Sequence, residues 1–212
     1  MQTVALIDYG SGNLRSAERA LAAAAAMANR RREVRVTRDP EFVRRADKIV
    51  LPGQGAFGDC MAGLCAVPGV VEALEEAVLR QGAPFLGICV GMQLLAERGL
   101  EHGEHRGLGW IGGVCRPLAA GAGRVPHMGW NLAAPVQPHP VLVPLGEGAH
   151  VYFAHSYVVA EAPTGALAAE TVHNERFACA LARDTILGVQ FHPEKSQAVG
   201  LALLARFLDW NP

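Results

Sequence analysis

The chain has 212 residues, half of them hydrophobic, and 19 Lys and Arg against 20 Asp and Glu give a formal net charge of −1. That length suits one domain spanning 1–212 with enough apolar material for a substantial core, and the charge balance excludes a basic field that would gather nucleic acid or a membrane surface. No run of about 18 apolar residues offers a membrane span, the opening MQTVALIDYG lacks the basic flank and apolar stretch of a signal peptide, and the expected compartment is the cytoplasm. The five cysteines are odd in number and contain no C-x-x-C pair, which argues against a disulfide framework or a zinc finger.

Val4-Ala5-Leu6-Ile7 reads as a buried strand that runs into the glycine turn Asp8-Tyr9-Gly10-Ser11-Gly12. Asn13 can cap an alanine-rich helix over Leu14 to Met27. A basic break at Asn29 to Arg32 precedes an alternating strand at Val34-Arg35-Val36, and Ile49-Val50-Leu51 forms a third strand that stops at Pro52-Gly53. Helical spacing covers Val70 to Leu79, with Glu72, Glu75 and Glu76 on a solvated face. Pro84 to Ile88 is a strand, after which Met92, Leu94 and Leu95 begin a helix. This alternation argues a parallel α/β sheet. From about Gly107 to Gln190, short apolar runs between Gly and Pro turns read as antiparallel hairpins. A last strand over Leu187 to Phe191 and an amphipathic helix over Ala198 to Trp210 close the chain. The expected architecture is a central, mostly parallel sheet flanked by helices, with an antiparallel extension.

Gly87-Ile88-Cys89-Val90-Gly91 has the form G-x-C-x-G between a strand and a helix, the cysteine version of a nucleophile elbow. Its glycines suit a tight turn where side chains would clash. A helix amino terminus beside the sulfur would favour the thiolate. A lone cysteine is most often a small buried hydrophobe; the flanking glycines and the strand-turn-helix setting argue otherwise here. Cysteine catalysis needs a base and an orienting group. His192-Pro193-Glu194 follows the last strand, and residues two apart in an extended segment point the same way, so Glu194 can hold the His192 imidazole. Alone, this would be an ordinary surface turn; beyond the carboxyl end of a strand of the same sheet it is a candidate base and acid. An oxyanion needs donors. The amide of Val90 is one candidate, and the turn Gly53-Gln54-Gly55 after the third strand supplies the other.

These elements resemble the triad-type, class I glutamine amidotransferases. Within that family, IDYGSGNLRS (7–16), LPGQGAFGDCM (51–61), GICVGMQLL (87–95), VPHMGWN (125–131), YFAHSY (152–157) and FHPEKS (191–196) resemble the glutaminase subunits of imidazole glycerol phosphate synthases. The resemblance covers nearly the whole chain. It implies the class I amidotransferase fold, a nucleophile at Cys89, a base at His192 and an orienting acid at Glu194. It implies glutamine contacts from Gln93 and from the backbone of His155-Ser156-Tyr157. An acidic residue after the elbow helix would receive the substrate ammonium; Glu101 matches by spacing and Glu97 competes. Gln54 stands where the family pattern has valine. The resemblance further implies that ammonia passes to a cyclase subunit, a (β/α)8 barrel, in a heterodimer. There it would meet a phosphoribulosyl formimino aminoimidazole carboxamide nucleotide and give imidazole glycerol phosphate. No cofactor or metal is implied.

A channelled product needs a sealed mouth. His127, Met128, Trp130 and Asn131 form an aromatic and polar patch that the resemblance assigns to the cyclase, together with Lys195. Asn13 and Arg15, on the same sheet edge as the first turn, join that rim or serve only as helix cap and solvated charge. Three readings are set aside. Anthranilate or aminodeoxychorismate amidotransferase subunits fit PHMGWN and HPEKS less well. The H-x-x-H of His102 and His105 sits in a glycine-containing loop with poor metal geometry. Gly10-Ser11-Gly12-Asn13 lacks the further glycine or lysine of a phosphate loop.

Overall fold

Val4, Leu6 and Ile7 are wholly buried in β1 (Gln2–Ile7), each contributing about 1.5–3 kcal/mol of apolar burial. Around this strand the computed structural model describes residues 1–27 and 32–212. Most of the basic break expected at Asn29 to Arg32 lies outside the described residues. The remaining strands are β2 (Arg32–Thr37), β3 (Lys48–Gly53), β4 (Phe85–Cys89), β5 (Arg98–Gly99), β6 (His105–Arg106), β7 (Val114–Pro117), β8 (His127–Pro135), β9 (Ala149–His155), β10 (Tyr157–Ala160), β11 (Leu167–His173), β12 (Glu175–Arg183) and β13 (Ile186–Val189). The helices are α1 (Leu14–Ala26), α2 (Pro40–Arg45), α3 (Phe57–Ala66), α4 (Val70–Glu75), α5 (Val90–Gln93) and α6 (Gln197–Asp209).

The large sheet has the order β2-β1-β3-β4-β13-β12-β11-β8-β9. Its first five strands are parallel and the rest antiparallel. The parallel body and the antiparallel extension are thus one continuous sheet. A second, four-stranded sheet, β10-β7-β5-β6, has no counterpart in the sequence expectations. Asn13 caps α1 as expected, accepting from the Ser16 amide at 3.4 Å. The fully buried Lys48 on β3 donates to the Trp210 carbonyl beyond α6, which fixes the closing helix against the sheet. No single helix among the described residues is long and apolar enough to cross a membrane.

Two helices differ from expectation. The helical stretch from Val70 ends as α4 at Glu75 and widens into a looser turn over Glu76–Arg80, where the Gln81 amide reaches back five residues to the Glu76 carbonyl. The helix after the elbow is a single turn, Val90–Gln93. The carbonyls of Leu94, Leu95 and Ala96 accept from Leu108, Ile111 and Gly109, so a distant loop takes the acceptors a longer helix would have used. A one-turn helix carries little macrodipole, and the expected help to a Cys89 thiolate from this source is correspondingly small. α2 and α3 have no counterpart in the sequence expectations, although Phe57, Cys60 and Leu64 of α3 sit at helical spacing and all three are buried.

Candidate active site

β4 ends on Cys89, whose φ of 55° and ψ of −111° put a non-glycine residue in a strained conformation, a cost on the order of 1–3 kcal/mol. The packing around the turn requires glycine on both sides. A Cβ on Gly91 would lie 1.9 Å from the Leu51 carbonyl oxygen, and one on Gly87 would lie 2.5 Å from the Gly91 oxygen. The elbow therefore sits directly on β3, with Gly53 paired to Cys89.

A cavity of about 170 Å3 opens above the sulfur, lined by Gln54, Gly55, Cys89, Val90, Gln93, Glu101, Ala154, His155, Ser156, Tyr157, His192 and Lys195. The structure thus brings together Cys89, His192 and every residue expected to contact glutamine. Glu194 stands just behind His192. Its Oε1 lies 2.8 Å from His192 Nδ1, which leaves Nε2 for the sulfur side. The contact is made differently from the extended geometry expected: His192 is extended, but Glu194 lies in a tight turn over Pro193–Lys195 that folds the carboxylate back onto the ring. Burial pushes the His192 imidazole down, but its hydrogen bonds and charge interactions with Cys89 and Glu194 outweigh that effect and raise it to about 9. The ring is then an imidazolium at neutral pH, poised to give a proton to a leaving amine.

Between the two acidic candidates, Glu101 lines the cavity and Glu97 is exposed away from it. Glu101 Oε2 accepts from the Phe57 amide at the start of α3 at 2.8 Å, which anchors the carboxylate. In the turn after β3, the Gln54 amide donates to Ser11 Oγ at 3.2 Å and Ser11 Oγ donates to the Gln54 carbonyl at 2.5 Å. The Tyr9 hydroxyl holds the preceding Pro52 carbonyl at 2.7 Å. Neither Ser11 nor Tyr9 was singled out from sequence, because the first turn meets the third strand only in the folded sheet.

The patch on β8 divides by the two-residue period of a strand. Met128 and Trp130 point outward, 65% and 47% exposed, and Leu132 continues the apolar stripe. Trp130, which alone would pass for a core residue, is a surface side chain edge-on to Tyr152. His127 corrects the expectation. It is buried, stacked between Phe153 and His173, and presents little surface of its own beside Met128 and Trp130. Asn131 supports it from the same side, its Nδ2 3.2 Å from His127 Nε2 and 3.0 Å from the Val172 carbonyl. His127 Nδ1 lies 2.9 Å from His155 Nε2, and His155 Nδ1 lies 2.9 Å from the Tyr157 carbonyl. That carbonyl can only accept, so the His155 proton is on Nδ1, and His127 donates to His155 while accepting from Asn131. Burial pushes His127 down to about 4 and His155 to about 3, so both rings stay neutral. Lys195 is half-buried with its ammonium over the Tyr152 ring, and Asn13 and Arg15 are exposed.

The sequence pattern of the family described as glutamine amidotransferase class-I matches residues 5–209. The chain is 52% identical over 214 aligned residues to imidazole glycerol phosphate synthase subunit HisH of Caulobacter vibrioides, covering all of both chains. It is 52% identical to the subunit of the same name from Zymomonas mobilis, covering 99% of this chain and 97% of that one. A crystal structure of a glutamine amidotransferase superposes with a TM-score of 0.71 at 18% identity over 97% of each chain. The glutaminase domain of Trypanosoma brucei CTPS with bound acivicin gives 0.65 at 15% identity, covering all of this chain and 96% of that one. At those identities the superpositions speak for the fold alone.

Proposed function

Because the chain belongs to the class I glutamine amidotransferase family, we propose that it is the glutaminase subunit of an imidazole glycerol phosphate synthase, acting in the cytoplasm with Cys89, His192 and Glu194 as its catalytic groups. The observation that carries the chemistry is the cavity in which a strained, glycine-flanked cysteine faces an imidazole held by a buried carboxylate. In this reading the proton that makes His192 an imidazolium is the one given up by the Cys89 thiol, and the resulting thiolate attacks the carboxamide carbon of glutamine. The amide of Val90 and a donor from the Gly53-Gln54-Gly55 turn receive the oxyanion. The carbon–nitrogen bond breaks as the imidazolium protonates the departing ammonia. His192 then deprotonates a water that hydrolyses the glutamyl thioester, which returns the thiol and releases glutamate. Glu101 accepts the substrate ammonium, and Gln93 and the 155–157 backbone fix its other end.

The ammonia would pass to a cyclase subunit seated on the apolar stripe of Met128, Trp130 and Leu132, with Lys195, Asn13 and Arg15 at the rim. The strongest support is that relatives half-identical over their full length carry the name of this synthase subunit. The test is reconstitution. Mixed with the cyclase subunit, its nucleotide and glutamine, the chain should yield imidazole glycerol phosphate. Paired instead with an anthranilate or aminodeoxychorismate synthase component it should yield nothing. Product from one of those pairings, and none with the cyclase, would reassign the pathway.

The raised His192 gives a pH prediction. Its charged form persists below about 9 and is lost as pH rises through that value, so kcat/KM for glutamine should fall on the alkaline side with a midpoint near 9. Glu194→Gln removes one of the interactions that hold the imidazolium. The midpoint should move to lower pH, and the neutral-pH rate should drop about 100-fold, the low end of what general acid–base groups supply. An unmoved midpoint in Glu194→Gln would separate Glu194 from His192.

A further inference from the structure

The parallel pairing of β4 with β13 sets Val189 beside Ile88, and the next residue, Gln190, just past the end of β13, reaches Cys89 at the end of β4. Gln190 is fully buried. A carboxamide out of water must find partners for both of its ends. Here the Gln190 Oε1 accepts from Gln93 Nε2 at 3.1 Å, and the Gln190 Nε2 donates to Cys89 Sγ at 3.7 Å.

The direction of these bonds is not arbitrary. The Tyr157 carbonyl oxygen can only accept, and it lies 3.1 Å from Gln93 Nε2. The Gln93 amide nitrogen is therefore turned that way, and its second N–H meets Gln190, where only Oε1 can receive it. This leaves the NH2 of Gln190 facing the sulfur. A thiol is a weak acceptor and a thiolate a strong one, so a desolvated N–H aimed at sulfur gains most when the sulfur is ionised. Opposing it is the Ala154 carbonyl, 3.9 Å from the sulfur, which favours the protonated thiol. The single-turn α5 contributes little, and His192 acts from the cavity side.

We propose that Gln190 is a thiolate-stabilising group of the glutaminase site, its donor end locked onto Cys89 by Gln93 and the Tyr157 carbonyl. This rests on reading Cys89 as the nucleophile. It also narrows the task of Gln93: both of its N–H groups are engaged, so only its carbonyl oxygen remains, and it must take an N–H of the substrate.

The experiment is alkylation of Cys89, which the cavity opens to reagent, by iodoacetamide in a Cys65→Ser background, since Cys65 is exposed and Cys60, Cys115 and Cys179 are buried outside the cavity lining. Modification of the Cys89 peptide is followed by mass spectrometry across pH. Gln190→Met removes the donor at similar length, and Gln93→Leu removes the lock, freeing the Gln190 amide to turn. At neutral pH both variants should react about tenfold more slowly than the parent, the scale of one charge-assisted hydrogen bond. At strongly alkaline pH, where every accessible thiol is ionised, their rates should converge with the parent. Equal rates at neutral pH overturn the proposal. So does a deficit that persists undiminished at alkaline pH, which would mean altered access and not altered charge. Should Gln190→Met fail to show cooperative unfolding, Gln93→Leu decides on the same readout. Failure of the nucleophile reading looks different: Cys89→Ala would keep its glutaminase turnover whatever the alkylation profile.

Discussion

Cys89→Ala is expected to abolish glutamine hydrolysis while leaving the fold and any partner binding intact. The side chain is 4% exposed, and alanine removes only the sulfur. On the proposed mechanism no other group can form the thioester, and nucleophile losses in such sites reach about 10^6-fold. Ammonia-dependent synthesis should survive in the complex with the cyclase, because the acceptor site lies on the other subunit. His192→Asn should follow closely, since thiol activation and ammonia departure both lose their proton partner. The stability side is checkable too. Alanine at φ 55° inherits the backbone strain of Cys89, whereas glycine does not. Cys89→Gly should therefore unfold at a temperature no lower than Cys89→Ala, and both should be inactive. Glutamine turnover retained by either variant would remove Cys89 from the mechanism.

The parts of this site that were legible in sequence are those whose cause is local. Gly91 is required because the elbow touches β3, and Gly87 because the turn folds back onto the backbone of Gly91 and Met92; both needs are written within five residues. His192 and Glu194 are two apart, and their contact follows from a short turn. Parts set by distant pairing were not legible. α5 stops after one turn, and the 107–111 loop takes the Leu94, Leu95 and Ala96 carbonyls that would have carried it on. Gln190 meets the sulfur only through the register of β4 with β13. His127 was grouped with Met128 and Trp130 because the three are close in sequence. Strand alternation turns it inward, and the rings of Phe153 and His173 hold it there. The same alternation would have added Leu132 to the outward stripe.

The turn after β3 carries the second large effect. Were the Gln54 amide the second oxyanion donor, it would have to face the cavity, yet here it donates to Ser11 Oγ, and Ser11 returns a bond to the Gln54 carbonyl. Both ends of that residue's backbone are thus held by one hydroxyl. The Tyr9 hydroxyl pins Pro52 on one side, and Gly55, at φ 112°, supplies a conformation that side chains resist on the other. Loss of one oxyanion donor typically costs about 100- to 1000-fold in turnover. We therefore expect the isolated chain to hydrolyse glutamine slower by that factor than the complex with the cyclase and its nucleotide. Ser11→Ala removes the hydroxyl that holds Gln54, so it should raise the isolated rate toward that of the complex and shrink the activation by nucleotide. Ser11→Thr keeps the hydroxyl and should stay slow. The measurement is glutamine turnover by each variant, alone and with the cyclase at fixed concentration, with nucleotide varied. An isolated parent chain already running at the full rate, or a Ser11→Ala chain as slow as its parent, would mean that the Gln54 amide is not the gate.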